Sequence, residues 1–272
     1  MEYHQQITTA AKFIQAKSTT QPSVGIILGT GLGGLVEHIQ IDDIIPYEDI
    51  PFFPVSTVES HAGKLIIGRI DTVNVVVMQG RFHYYEGYTL KQITFPVRVM
   101  KLLGITQLFI SNAAGGLNPA FEVSDLMVID DHINLLPGNP LIGKNLAAFG
   151  PRFPDMSEPY DQQLIEQALA IAEHHEIDVH QGIYVSVAGP SLETQAEYRY
   201  LRTIGGDAVG MSTVPEVIVA RHMELSCFAI SVVTDLCYEG RIKKVDISEM
   251  IEAAAEAEPK MTLIIKALLE QN

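Results

Sequence analysis

Arg81, His83 and Tyr85, in the run Gly80-Arg81-Phe82-His83-Tyr84-Tyr85-Glu86-Gly87, set a fixed cation, an imidazole and a phenol at every second position. If the segment stays extended, all three project to one side, because side chains alternate faces with period two. Arginine suits bidentate recognition of an oxyanion, and histidine donates a proton or hydrogen bond near neutral pH. The competing reading pairs Arg81 with Glu86 and packs the aromatics into the core. His61, in Glu59-Ser60-His61-Ala62-Gly63, stands close enough in sequence to reach the same place. A second anion candidate is Gly29-Thr30-Gly31-Leu32-Gly33-Gly34, which follows an apolar run and so offers backbone N–H groups together with the Thr30 hydroxyl. Residues 29, 31 and 34 also satisfy a GxGxxG pattern, which raises a dinucleotide-dependent oxidoreductase. That fold needs a long helix after the loop, and Pro46, Pro51 and Pro54 interrupt the stretch. No Gly-Lys-Ser/Thr follows either, and the plain alternative is a tight turn with no ligand.

The elements that must position these groups are short apolar runs at 24–29, 65–70, 73–80, 107–116, 125–133 and 227–235, read as buried strands. Helical patterns lie at 89–103, 161–176, 193–204, 213–224 and 247–270. The alternation predicts an α/β fold. Only Asp71-Thr72 separates the second and third strands, so they form an antiparallel hairpin and the sheet is mixed. In 247–270 the apolar residues Ile247, Met250, Ile251, Ala254 and Ala255, then Met261, Ile264, Ile265 and Leu268, read as one packed, structural face. With no linker or internal repeat, residues 1–272 read as a single domain.

Composition narrows the partners. Lys and Arg number 18 against 33 Asp and Glu, a net charge of −15, with 47% hydrophobic residues over 272 positions. That is a folded chain with no basic footprint for nucleic acid or an anionic membrane, so any anionic substrate is small and held locally. The two cysteines, Cys227 and Cys237, are too few for a disulfide framework. No apolar run is long enough for a bilayer, and the first residues lack a basic start followed by an apolar core, which together lead to the expectation of a cytoplasmic protein. None of the nine histidines sits in an HExxH or HxH pattern, so no metal is expected.

Taken together, the segments ILGTGLGG, STVESHAG, GRFHYYEGY, FPVRVMKLLG, SNAAGG, DLMVIDDHIN, GPRFPDMSE, GPSLETQAE and GMSTVPEVIVARH resemble the homotrimeric branch of the purine nucleoside phosphorylase family, in that family's order. The resemblance implies a central mixed, partly barrel-like sheet flanked by helices. It also implies phosphorolysis of a purine nucleoside to free base and pentose 1-phosphate for purine salvage, with phosphate as co-substrate and no cofactor. Carried over by motif, phosphate falls to Thr30, His61, Arg81, His83, Asn112 with the backbone of Ala113, and Ser212. Threonine stands where the family often has serine, and keeps the hydroxyl. The pentose falls to Tyr85 and Met211, with Phe153 reaching into a neighbouring subunit. Read alone, Met211 would be core. The base falls to Glu193, Asp235 and Leu192, the last where the family often has an aromatic. Without the family, Glu193 would be an acid capping a helix. A Glu193 carboxylate suits N1–H of hypoxanthine or guanine, so His83, Glu193 and Asp235 carry the catalysis.

Two positions depart from the family pattern. Asp235 stands where asparagine is common: as a carboxylic acid it donates to N7, and as a carboxylate it favours a 6-amino group. The expectation is a 6-oxopurine preference with some adenosine tolerance. A family histidine that contacts the 5′-hydroxyl aligns near Ile247. Both departures lean toward 5′-methylthioadenosine phosphorylases, the close alternative, whereas Glu193 and Ser212 keep the purine nucleoside pattern. A non-catalytic nucleoside or phosphate-binding protein is the remaining alternative.

Overall fold

The computed structural model describes residues 1–30, 32–55 and 63–271. Strands β1 (Val24–Leu28), β2 (Gln40–Pro46), β3 (Lys64–Ile70), β4 (Val73–Gln79), β5 (Gln107–Gly116), β6 (Leu126–Asn134), β7 (Val179–Ser186), β8 (Ala208–Gly210) and β9 (Ser226–Leu236) form one mixed sheet. Its order is β2-β3-β4-β1-β5-β8-β7-β6-β9, and β9 pairs back onto β5. The last five strands therefore close into a barrel, while β2, β3, β4 and β1 extend from it. β3 and β4 are the expected antiparallel hairpin, turning at Asp71 with φ 50°. Most of the runs read as buried strands are buried: every residue of β1 is, and β5 is nearly so, whereas the run at 125–133 is buried only over Leu126–Ile129, with Asp131 exposed.

Strands β1, β4, β5 and β9 run parallel, so their carboxyl ends open to one side, the usual location for a ligand in an α/β sheet. A bulge sharpens this end. Val233 pairs with Ala114 and Asp235 with Gly115, so Thr234 is an extra residue in β9. Bulges increase local twist and re-aim side chains. A Cβ on Gly115 would meet Cys237 Sγ at 2.6 Å and come within 3.5 Å of Asp235 Oδ2, so glycine there leaves room for both.

Seven helices cover the sheet among the described residues: α1 (Tyr3–Lys17), α2 (Leu90–Ile93), α3 (Phe95–Leu103), α4 (Gln162–His174), α5 (Gln195–Thr203), α6 (Val214–His222) and α7 (Ile247–Glu270). The helix expected over 89–103 divides in two. Thr94 lies between the pieces and Pro96 sits in the first turn of α3, where its missing N–H costs nothing. α7 has the expected bounds, but its packed face begins later. Ile247 and Ile251 are exposed and Ala255 is too, whereas Met261, Ile264, Ile265 and Leu268 are buried.

Gly29, just beyond β1, packs directly against the backbone of β5. A Cβ there would lie 2.8 Å from Asn112 Cα and 2.9 Å from the Ser111 carbonyl, both backbone, whereas one on Gly33 meets only Gln79 Nε2 at 3.8 Å. Gly29→Ala is expected to destabilise the fold by about 1–3 kcal/mol in urea unfolding, and Gly33→Ala by less than about 0.5 kcal/mol.

Candidate active site

At the carboxyl ends of these strands lies a cavity of about 470 Å³ lined by Thr30, Arg81, His83, Tyr85, Ala113, Leu192, Glu193, Met211, Ser212 and Asp235, among others. Arg81 is its most constrained member, 2% exposed just beyond β4. Its Nη1 donates to Ser212 Oγ at 2.6 Å and to Thr213 Oγ1 at 3.2 Å, and its Nη2 to the Ser111 carbonyl at 2.7 Å. One guanidinium thus ties β5 to the start of α6. Thr213 adopts φ 72°, a left-handed conformation that is costly for a branched residue, and Asn112 Nδ2 donates to its hydroxyl at 3.0 Å.

Glu86 binds His83, not the arginine of the competing reading: Oε1 lies 3.0 Å from His83 Nδ1 and also accepts the His83 backbone N–H at 2.8 Å. A carboxylate on Nδ1 fixes that nitrogen as the donor and sets the ring's orientation. The segment does not stay extended past His83, because residues Tyr84–Glu86 form a 3-10 turn. His83 and Tyr85 nevertheless share the cavity, their rings stacked with centroids 4.7 Å apart and planes at 15°. The turn, rather than the period of two, brings them together. Burial, with Glu86 nearby, pushes the Tyr85 phenol up to about 12.

The far end is built from β9, the segment before α5, and the start of α7. Thr194 caps α5, accepting from the Glu197 backbone N–H. Glu193 is thereby relieved of the capping role and lines the cavity. Burial holds its carboxyl above the usual range, against a hydrogen bond from Tyr198 that acts to lower it. Asp235 Oδ2 accepts from Cys237 Sγ at 3.1 Å, and Oδ1 from Thr234 Oγ1 at 3.2 Å. Burial, then Asp235, keeps that thiol protonated well above its ordinary range. Met211 is a wall residue and not core, its side chain filling the space that a Cβ on Gly189 would take.

Ten of the residues singled out in the sequence line this one cavity. Asn112 reaches it too, but its amide holds Thr213, so it acts one layer behind. Phe153 does not join them: it is 86% exposed on another face, with Arg152 stacked 5.8 Å from its ring. His61 and Gly31 lie outside the described residues. Sequence reasoning missed Tyr198 and Cys237, and its reading of Ile247, Met250 and Ile251 as a packed, structural face fails: they form an apolar wall of the cavity, with Ile247 at the position aligned with the 5′-hydroxyl contact. The signal for Cys237 was its position two after Asp235. For α7 it was an apolar stripe that outran the buried stretch. No cluster of three or more His, Cys, Asp or Glu placed to hold a metal occurs among the described residues, and no helix is long and apolar enough to cross a membrane.

Comparison with known proteins agrees with this geometry. The Phosphorylase superfamily matches residues 23–270. The chain is 51% identical to purine nucleoside phosphorylase 1 of Geobacillus stearothermophilus, covering 97% of this chain and 96% of that one. It is 46% identical to the purine nucleoside phosphorylase of Mus musculus, covering 96% and 93%. A Schistosoma purine nucleoside phosphorylase solved with hypoxanthine superposes with a TM-score of 0.92 at 41% identity, covering 98% of this chain and 97% of that one. A second structure, of the Schistosoma mansoni enzyme with adenosine, gives the same values. With family-wide identity over nearly its whole length and the barrel-closed sheet to match, this chain belongs to the purine nucleoside phosphorylase family of the Phosphorylase superfamily.

Proposed function

We propose that this chain cleaves purine nucleosides with inorganic phosphate, preferring inosine and guanosine. The observation that carries this reading is one cavity with a buried arginine and hydroxyls at one end and two carboxyl groups at the other. Its size, about 470 Å³, is that of an ordinary small-molecule site. Phosphate sits against Thr30, Arg81, His83, the Ala113 N–H and Ser212, with His61 contributing from its motif. A phosphate oxygen forms the bond to C1′ as the bond to N9 breaks, and the electron pair leaves with the purine. Cation and N–H donors hold the nucleophile against the positive charge that develops on the pentose. Tyr85 and Met211 border the sugar, and Leu192, Glu193 and Asp235 the base. The scheme needs no group beyond phosphate. It fits purine salvage in the cytoplasm, where Cys227 and Cys237 remain buried free thiols.

Base release should depend on phosphate, be fastest from inosine and guanosine, and remain measurable from adenosine. Cys237 donates to Asp235, which leaves that carboxyl an acceptor suited to a 6-amino group. Asp235→Asn is therefore expected to lower adenosine cleavage about tenfold or more while sparing inosine. Adenosine cleavage indistinguishable from zero in the wild type refutes the tolerance. Methylthioadenosine as the best substrate, which the apolar Ile247 wall would suit, refutes the 6-oxopurine preference.

Glu193 must be ionised to accept N1–H, and its carboxyl is raised by burial. For inosine, kcat/KM is expected to rise with pH along a limb above the range of an exposed glutamate. Glu193→Gln should remove the limb and lower kcat/KM by about 10- to 100-fold. The raised value also means that the folded state holds this proton longer than the unfolded chain, so Glu193 opposes folding once pH passes through it. The stability difference between Glu193→Gln and wild type should thus favour the variant more at pH 7 than at pH 4.

We infer, finally, that the working form is a homotrimer in which the exposed Phe153 completes a neighbour's site. Mixed trimers of inactive Phe153→Ala and inactive Arg81→Lys subunits should regain activity, since some sites then combine an intact Arg81 with an intact Phe153. Mixtures that stay inactive after subunit exchange overturn this.

A further inference from the structure

A second cavity, of about 220 Å³, lies on a different face and is lined by Tyr3 and His4 at the start of α1, Lys91, Arg98 of α3, His222 at the end of α6, and residues 140–142 and 144–146. Its chemistry is cationic in a chain of net charge −15. Arg98 is 3% exposed, and among the described residues no carboxylate lies within ion-pair distance of it. Its Nε has no hydrogen-bond partner. The groups around it are neutral or aromatic. Nη1 lies 3.5 Å from His222 Nδ1, the Phe149 ring is 5.3 Å away, and the Tyr3 hydroxyl, which donates to the Lys91 carbonyl at 2.7 Å, accepts a hydrogen bond from Arg98. His222 Nε2 lies 3.1 Å from Asn145 Oδ1 and donates to it, which leaves Nδ1 as the acceptor facing Arg98. Burial and the Arg98 charge both hold that imidazole below its ordinary range, so it stays neutral.

An isolated buried cation is costly, and buried charges in proteins are normally paired. Here the protein partners are a phenol and a neutral imidazole, no carboxylate among the described residues pairs with the charge, and open space adjoins. The remaining lining adds to the same sign. Lys91 and Lys144 are exposed in the lining. The one carboxylate there, Glu2, is the N-cap of α1 and takes up the positive end of that helix.

We propose that this cavity is a second anion site, which takes a phosphate group against Arg98, Lys91 and Lys144. With less than half the volume of the first cavity, it suits inorganic phosphate or the phosphate end of a pentose phosphate, and excludes a nucleoside. Occupation would brace α1 against the segment leading to Phe153, because Arg152 Nη1 already donates to the carbonyls of Leu141 and Gly143.

Equilibrium dialysis of the full chain with radiolabelled inorganic phosphate tests this. Two phosphates per chain are expected for wild type. Arg98→Met should bind one, and the doubly exposed variant Lys91→Ala/Lys144→Ala should bind the second about tenfold or more weakly while remaining folded. Both should keep the wild-type KM for phosphate within about twofold. Arg81→Lys should lose the other phosphate, so failure of the active-site reading and failure of this one give different counts. Ribose 5-phosphate displacing the second phosphate better than unlabelled phosphate does assigns the site to a pentose phosphate; the reverse assigns it to inorganic phosphate. One phosphate in wild type, or a second one indifferent to both Arg98 and the lysine pair, overturns the proposal.

Discussion

A guanidinium that is almost wholly buried has given up its water, and backbone and hydroxyl groups must take the water's place; Arg81 imposes that arrangement on this fold. It sits where β4 ends and reaches across to the Ser111 carbonyl on β5 and to Ser212 and Thr213 before α6. Those three places are far apart in sequence and meet only because β1, β4 and β5 run parallel and β8 joins β5. The strained backbone of Thr213 belongs to the same arrangement: its hydroxyl accepts from both Arg81 and Asn112, which holds the turn. Net charge says nothing about such a site. Within one cavity the chain keeps the Arg81 guanidinium and the Ser212 hydroxyl at one end and the carboxyl groups of Glu193 and Asp235 at the other.

The opposite end of the cavity uses acids, and their company differs. Glu193 is raised by burial and faces Tyr198, whereas Asp235 takes a hydroxyl and a thiol donor from its own strand end. Cys237 is thus more than a filler of the space beside Gly115. It gives one carboxyl oxygen a donor, and the Thr234 hydroxyl gives one to the other. Two acids in one cavity are tolerable because each has a dedicated donor.

Much of the fold was legible because its central strands are buried on both faces and read as unbroken apolar runs; β5 matches its expected bounds residue for residue. What escaped notice has physical causes. β2 carries Asp42 and Asp43 and ends in Pro46, and β8 is three residues long. Of the site, the loop residues could be picked out by type, since arginine, histidine and tyrosine cluster in few other places. Their geometry could not: a 3-10 turn and not an extended chain aligns His83 with Tyr85, and a threonine cap one residue later frees Glu193. Phe153 shows the converse limit, a motif residue whose place in one chain is solvent.

Because the far end of the sheet curls back onto β5, the open side of the sheet among the described residues is at β2. An open strand is a template for other chains to pair with, and closed barrels have none. β2 is mostly exposed, interrupted in register between Ile41 and Asp43, acidic in its middle and terminated by a proline that cannot donate. The same residues that disguised it as a loop make it a poor partner for a stray strand. Charge and irregularity thus guard the border at which so apolar a sheet would otherwise recruit a further strand.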